Sequence, residues 1–420
     1  MSVPAPDASA GRASLPHVSG LLAAHTDSWR EHLDLLGPLP RLSAGQLLSV
    51  VADAGLTGRG GGHFPTARKL ALVAGARNAL VVGNAAEGEP ASSKDRVLLG
   101  EAPHLVLDGL LLAQRVVGAR LAHLAAPADL LDDVVAPALA QRRDRVRLVA
   151  VPEGFVSGQE TAVLAAVEGR PARPVTLIRP LAERGISGRP AVVLNVETLA
   201  HLALIARYGA AWFRSRGVPD DPGSRLTTIS GAVRWPGVWE ARGGSTLGDL
   251  VEAAGGPTEP LQALLVGGYH GGWVPWHQDA ADRPLTRAGL HDYSAAPGSG
   301  VVVALPARRC GLQASAGVVA YLAGESAAQC GPCRNGLPAL AGHLDALARG
   351  RSGARSVQEL RRLSDVVDGR GACRHPDGTA RFVRSTLRTF GDEVEHHLAG
   401  HCTAPDEPTD ATRRLPWLPS

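Results

Sequence analysis

Ala79-Leu80-Val81-Val82-Gly83-Asn84-Ala85-Ala86-Glu87-Gly88-Glu89-Pro90 decides the fold class of this 420-residue chain. Its apolar opening, 79–83, has the length and branching of a buried strand, and the polar run after it reads as a loop at the strand's carboxyl end. Outward from this stretch, short apolar runs alternate with helical patterns from 41 to 215. Strands are expected at 121–125 and 146–151, and helices at 104–118, 129–142, 161–167 and 196–208. Such alternation specifies α/β layers, with ligands at the carboxyl edge of the sheet. The segment 221–305 changes character, with a hairpin (225–231 and 238–241), a helix (247–254) and two further strands (263–266 and 301–305). That order is a ubiquitin-like module. From 310 to 400 the periodicity is helical, at 314–322, 337–348, 357–367 and 380–398, which predicts a small bundle. The expected organisation is a flexible arm (1–40), an α/β domain (41–220), a β-grasp domain (221–308), a helical domain (309–400) and a tail (401–420).

Composition narrows the function. Hydrophobic residues make up 45% of the chain and charged residues 20%, with a net charge of +3 and only 4% aromatics. A nucleic-acid groove needs basic charge and stacking rings together, so that class is excluded. No basic leader precedes an apolar run, and Asp108 and Arg115 interrupt the longest apolar stretch. The expectation is a cytoplasmic protein that does not span a membrane. Five cysteines are too few for a disulfide framework. Of 43 basic residues other than histidine, only Lys69 and Lys94 are lysines. A chain that writes Arg wherever a cation serves keeps Lys where a compact ammonium is needed.

Five segments carry chemistry. Gly58-Arg59-Gly60-Gly61-Gly62-His63-Phe64-Pro65-Thr66-Ala67-Arg68-Lys69 reads either as a flexible loop or as a phosphate cradle. In the second reading, bare amides, a helix starting near Pro65–Thr66 and Lys69 surround the anion. Asn84 to Pro90, closing on Lys94-Asp95-Arg96, follows the strand and offers an amide, carboxylates and a second cation. Phe155-Val156-Ser157-Gly158-Gln159-Glu160-Thr161 and Leu194-Asn195-Val196-Glu197-Thr198-Leu199 each read, taken singly, as a helix start. Cys330-Gly331-Pro332-Cys333, with the distant Cys373, is a soft-ligand set for zinc or an iron–sulfur cluster.

In order and spacing, these segments resemble the NADH-binding FMN/iron–sulfur flavoprotein subunit of respiratory complex I, a module shared with NAD-linked hydrogenases and formate dehydrogenases. That family reads G-L-x-G-R-G-G-A-G-F-P-T-G-x-K, then N-A-D-E-x-E-P-G-x-x-K-D-R, then Y-x-C-G-E-E-T-A, then N-N-V-E-T-L. It closes with E-S-C-G-x-C-x-P-C-R-x-G and a distant cysteine. Ser230-Gly231-Ala232-Val233 and Pro236-Gly237-Val238-Trp239 resemble its SLBB domain. The resemblance spans 45–400. It implies a Rossmann-like FMN-binding domain, a β-grasp SLBB domain and a helical bundle carrying the iron–sulfur site. It further implies electron passage from FMN to a [4Fe-4S] cluster and on to a redox partner, a ferredoxin-like or thioredoxin-like iron–sulfur subunit. Any attachment to a membrane complex would run through partners. FMN contacts are implied for Gly58, Arg59, Gly60, Gly61, Lys69, Asn84, Glu87, Gly158, Glu160, Asn195 and Thr198. NADH contacts are implied for Phe64, Glu89 and Glu160, and cluster ligands for Cys330, Cys333 and Cys373. No residue is assigned general acid or base work, because hydride and electron transfer belong to the cofactors.

The departures are specific. Ala86, Phe155, Gln159 and Leu194 replace the family's Asp, Tyr, Glu and Asn, and His63 replaces a Gly. Near Ala71 and Pro180 no aromatic stands where relatives stack the adenine, and Leu177 replaces a Lys. Two lost stacking contacts cost about 2–6 kcal/mol, so weak NADH binding is expected. Ala327 occupies the first cysteine position. Ser326, His375 or Cys402 could serve as fourth ligand, the cluster could be [3Fe-4S] or keep an open iron, or His375 could complete a zinc site. Cys310 reads as a small buried residue, and His396, His397, His401 and Cys402 as a helix end. Two alternatives to an NADH-driven enzyme component are an electron-transfer flavoprotein fed by a ferredoxin-like partner and a non-catalytic scaffold.

Overall fold

The computed structural model describes residues 20–353 and 355–404; residues 1–19 of the expected arm and 405–420 of the expected tail lie outside them. Leu80–Asn84 is the strand read from the opening stretch, and it is β1. β2 (Ala122–Ala126), β3 (Val146–Ala150) and β4 (Ala191–Asn195) run parallel to it in the order β3-β2-β1-β4. Because β1 is covered on both faces, its first four residues are apolar and buried. Leu80 and Val82 pack with Val163, Leu164 and Val193, while Val81 faces the helices Pro103–Val117 and Val196–Arg214. Those two helices cross so tightly that a Cβ on Gly109 would lie 1.8 Å from the Leu199 carbonyl oxygen. The chain adds β2 and β3 on one side of β1 and then returns to lay β4 on the other. The switch point therefore falls between β1 and β4, where an open α/β sheet leaves a crevice at its carboxyl edge.

A second sheet follows, made of β5 (Ser224–Gly231), β6 (Gly237–Arg242), β7 (Leu261–Val266), β8 (Gly272–Pro275) and β9 (Val301–Pro306). Its order is β6-β5-β9-β7-β8, with β5 and β9 parallel and the other pairs antiparallel. Helix Leu247–Ala253, started by a Thr246–Asp249 capping box, packs Leu247, Leu250 and Val251 on one face. Leu265, Trp273 and Val303 on the other face join the core of the helical bundle. β8 escaped the sequence reading because its four residues are framed by Gly and Pro, which argue against a strand.

The bundle comprises Gly311–Gly324, Leu337–Ala348, Arg355–Val367, His375–Thr389 and Gly391–Leu398. The single helix expected over 380–398 is two, broken at Phe390, whose ring packs edge-on to Trp273 at 5.3 Å. Likewise the expected 129–142 helix carries a wide turn at Leu131–Val135, just ahead of Pro137, which lacks an amide donor.

Residues 20–40 are not a free arm. The Glu240 carboxylate accepts from the Leu21 and Leu22 amides at 2.8 and 3.1 Å, and Trp29–Leu36 is a helix capped by Ser28. Asp108, the charge that interrupts the long apolar run, is fully buried against His32 (2.9 Å), Arg142 (2.6 Å) and Arg207. Burial alone would raise its pKa, but these partners hold it down at about 2. Among the described residues, no single helix is long and apolar enough to cross a membrane.

Candidate functional site

Asn84 and Asn195 are register partners at the ends of β1 and β4, so the switch point carries two amides side by side. Asn84 Nδ2 donates to the Gly158 carbonyl at 2.9 Å, and its Oδ1 accepts from the Ala86 amide at 3.0 Å. Asn195 Oδ1 accepts the Glu197 amide at 3.0 Å, capping the 196–214 helix, while Nδ2 donates to Asp95 at 2.6 Å. Gln159 caps Glu160–Val167 in the same way through the Thr161 and Ala162 amides. Both segments are therefore helix starts as well as site loops.

Around these amides three loops converge. A Cβ on Gly158 would meet the Ala86 oxygen at 2.2 Å, and one on Gly60 would lie 3.2 Å from Asn195 Cβ. The Arg59 amide donates to Thr198 Oγ1 at 2.9 Å, and its guanidinium reaches the Pro222 carbonyl at 3.2 Å. Burial first, then Arg225, lowers the Arg59 pKa to about 10, with Glu197 and Asp221 opposing. The expected helix begins at Thr66, and Lys69 on it donates to the Val193 carbonyl at 2.7 Å and pairs with Glu160.

Three charged residues of the second motif are spent on neighbours. Lys94, read as a second cation for the cofactor, is buried and pairs with Asp95 (2.6 Å) and Glu197 (2.9 Å). Burial opposes its charge, yet Asp95, Glu197 and Glu87 more than restore it, so its pKa is raised. Glu87 accepts from the Asp95 and Arg96 amides at 3.3 and 3.4 Å and from Ser92 Oγ, closing the start of the next helix. Burial, then Asp95, pushes its pKa up to about 7. Glu89 accepts the Tyr269 amide at 2.8 Å, and burial pushes it up to about 8. Phe64 keeps an exposed ring, with the Arg68 guanidinium 5.7 Å from its centroid.

The glycine loop fits an anionic ligand. Thr66 Oγ1 and Arg59 Nε, flanking it, are buried with no partner, and a Cβ on Gly62 would meet nothing within 4 Å. Native folds rarely bury a polar atom that nothing satisfies, so such atoms point to a ligand. Unpaired donors beside bare amides and the Lys69 ammonium suit a phosphate group.

The second centre lies in the bundle. The Cys330 and Cys333 thiols hydrogen-bond each other, Cys330 meets the Ala372 amide, and Cys373 lies close enough to interact with both thiols. Burial pushes the Cys333 thiol up to about 12. Three converging thiols fit an iron–sulfur cluster. For the fourth corner, Ser326 alone of the three expected candidates turns its side chain to the cysteines, its hydroxyl bonding Cys333. His375 has both ring nitrogens engaged, with Leu322 O at 2.8 Å and His270 at 3.2 Å, which also removes it from a zinc site. Cys402 lies instead beside Cys310 and Glu393. A cleft lined by Gly154, Ser157, Arg170, Glu325, Ser326 and Ala327 reaches this corner.

Three contacts, made by two loops, were not legible in the sequence. Glu325 accepts the Phe155 amide at 3.0 Å, and Phe155 packs against His270 at 4.6 Å. Tyr269 supplies the amide that fixes Glu89. All three join parts of the chain more than a hundred residues apart, and no local spacing signals them.

Family profiles match in the same layout. Residues 51–204 match the Nuo51 FMN-binding domain, 226–268 the SLBB domain, and 313–397 the NADH-ubiquinone oxidoreductase-F iron-sulfur binding region. The NADH-quinone oxidoreductase F 2 subunit of Rhizobium meliloti is 30% identical over 84% of this chain and 89% of its own length. The corresponding F subunit of Streptomyces coelicolor is 31% identical over 87% and 86%. Among solved structures, the NAD+-reducing [NiFe]-hydrogenase in the H2-reduced state superposes with a TM-score of 0.78 at 32% identity. It covers 86% of this chain, which spans 63% of that hydrogenase chain. FMN and an iron–sulfur cluster are thus the cofactors of this architecture, and the chain belongs to the family of the NADH-quinone oxidoreductase F subunits.

Proposed function

We propose that this chain is the flavoprotein subunit of an NADH dehydrogenase-type enzyme, taking electrons from weakly bound NADH and delivering them to a partner. One observation carries the reading. The loop 154–160 touches both centres, through Gly158 against Asn84 and through Phe155 against Glu325, next to Ser326 and the cysteines. Bound FMN accepts two electrons as hydride and releases them singly, and the cluster carries them one at a time.

In this reading Gly58, Arg59, Gly60 and Gly61 surround the phosphate with Lys69. Asn84, Gly158, Glu160, Asn195 and Thr198 shape the crevice, with Glu87 holding its loop. Phe64 offers an exposed stacking face to NADH, and Glu89 and Glu160 are the further residues assigned to that ligand. Cys330, Cys333 and Cys373 hold the cluster. The domain limits 41–220, 221–308 and 309–400 go with this division of labour. A cytoplasmic location and an iron–sulfur partner of ferredoxin-like or thioredoxin-like kind complete the proposal.

An anaerobic absorption spectrum of the reconstituted protein tests it. Flavin bands are expected that bleach with NADH only above the usual micromolar range. Lys69→Ala should weaken FMN binding by roughly 10- to 150-fold, the loss of one charge-assisted bond of about 1.5–3 kcal/mol. Flavin that ignores NADH but bleaches with dithionite would replace the donor by a protein. A colourless product after supplying FMN, iron and sulfide would overturn the proposal.

A further inference from the structure

Cys310 caps the start of Gly311–Gly324, while Glu393 and His397 stand one turn apart on Gly391–Leu398 and Cys402 follows that helix. The four ligand atoms of these residues all lie within 4.8 Å of one another. Cys310 Sγ is 3.4 Å from His397 Nε2 and 3.9 Å from Glu393 Oε1, and His397 Nε2 is 2.9 Å from Glu393 Oε1. Ligands bound to zinc at about 2.0–2.3 Å in a tetrahedron lie roughly 3.3–3.8 Å apart, so the cage is already close to that size.

The surroundings are those of a metal site. His397 Nδ1 faces the Leu347 carbonyl at 3.2 Å, which directs Nε2 at the other three ligands. Glu393 is oriented by Thr403, whose amide donates to Oε1 at 3.0 Å and whose hydroxyl donates to Oε2. Cys310, Glu393 and His397 are buried, and Cys402 is half-buried, leaving an access path at the end of the bundle. Without a metal, the cluster would hold two weak thiol donors, one buried and one half-buried, against a carboxylate for little return, since thiols are poor hydrogen-bond partners.

This is not the cluster site. Cys310 begins the 14-residue helix Gly311–Gly324, whereas Ser326, the neighbour of Cys333, follows its other end. At 1.5 Å per residue those ends are about 20 Å apart. Cys373 and Glu393 likewise flank opposite ends of the 15-residue helix His375–Thr389.

We propose that Cys310, Glu393, His397 and Cys402 bind one divalent ion of the zinc class, in a closed tetrahedral site separate from the iron–sulfur centre. On binding, each thiol releases its proton to solvent. The ion then holds two thiolates, a neutral imidazole and a carboxylate, with no change of oxidation state. Four protein ligands leave no open position, so the site is structural. It clamps the segment after residue 398 onto the first turn of the bundle.

Elemental analysis of the full-length protein tests this independently of flavin or activity. One zinc per chain is expected beside the cluster iron. Cys402→Ser and Glu393→Gln should lose zinc yet keep iron. Added Zn2+ should protect Cys310 and Cys402 of chelator-treated wild-type protein from alkylation, a readout that needs no variant to fold. Three results would overturn the site: alkylation unaffected by Zn2+, a Cys310–Cys402 disulfide in the native protein, or zinc retained in Cys402→Ser but lost in Cys333→Ser.

Discussion

His63 turns the backbone through φ 51°, a region that favours glycine, at the position where the family motif carries one. Its Nε2 is buried without a partner. Burial, then Arg225, Arg59 and Arg287, lowers its pKa to about 4, with only Asp221 opposing. The unfolded chain, with an imidazole near 6.5, therefore binds more protons between those values, and stability falls as pH drops from about 6.5 to 4. His63→Gly should remove that acid-side slope and leave stability at pH 7 within about 1 kcal/mol of wild type, or higher. Thermal unfolding across pH 4–7 checks both, and an unchanged slope would count against the assignment. The replacement was visible in the sequence because the motif around it is otherwise intact. Cys310 and Cys402 are the opposite case. Each looks unremarkable where it stands, and only their meeting gives them meaning.

At the scale of elements, the site is assembled from strand ends and helix starts. Asn195 closes β4 and opens the 196–214 helix. Lys94 opens Lys94–Glu101, and its ammonium reaches Glu197 in the first turn of the other helix. Lys94→Met leaves Asp95 and Glu197 buried beside each other without their cation. Breaking such a pair costs about 3–5 kcal/mol. Urea denaturation should show a loss of that size. A variant of wild-type stability with weakened FMN binding would return Lys94 to the cofactor. Most strands and helices were legible from apolar period and caps; β4 was not, because Ala191–Asn195 runs directly into the helix that starts at Val196, with no connecting loop. β8, the break at Phe390 and the wide turn at Leu131–Val135 were not, because packing and a missing amide donor set them rather than pattern.

Across the whole molecule, a few buried polar ties join the parts. Glu89 carries the loop after β1 to the Tyr269 amide between β7 and β8. Its folded pKa of about 8 lies above the unfolded value near 4.5. The native state thus binds more protons between them, and stability falls as pH rises from about 5 to 8. Glu89→Gln should flatten this alkaline-side decline, with unfolding midpoints measured across pH 5–8; a decline equal to wild type would sink the assignment. Asp108 ties residues 20–40 in a similar way, joining His32, Arg142 and Arg207 from three distant stretches. The sequence by itself determined the order of the modules, the chemistry of the glycine loop and the Cys330/Cys333 pair, because each is carried by a local motif or by motif order along the chain. Only the tertiary structure decided which polar groups face the crevice and which are consumed by neighbours. Lys69, paired with Glu160, stays partly exposed within the glycine-loop motif while Lys94 is locked in a buried ion pair, because a buried charge is held by whichever partner long-range packing delivers to it.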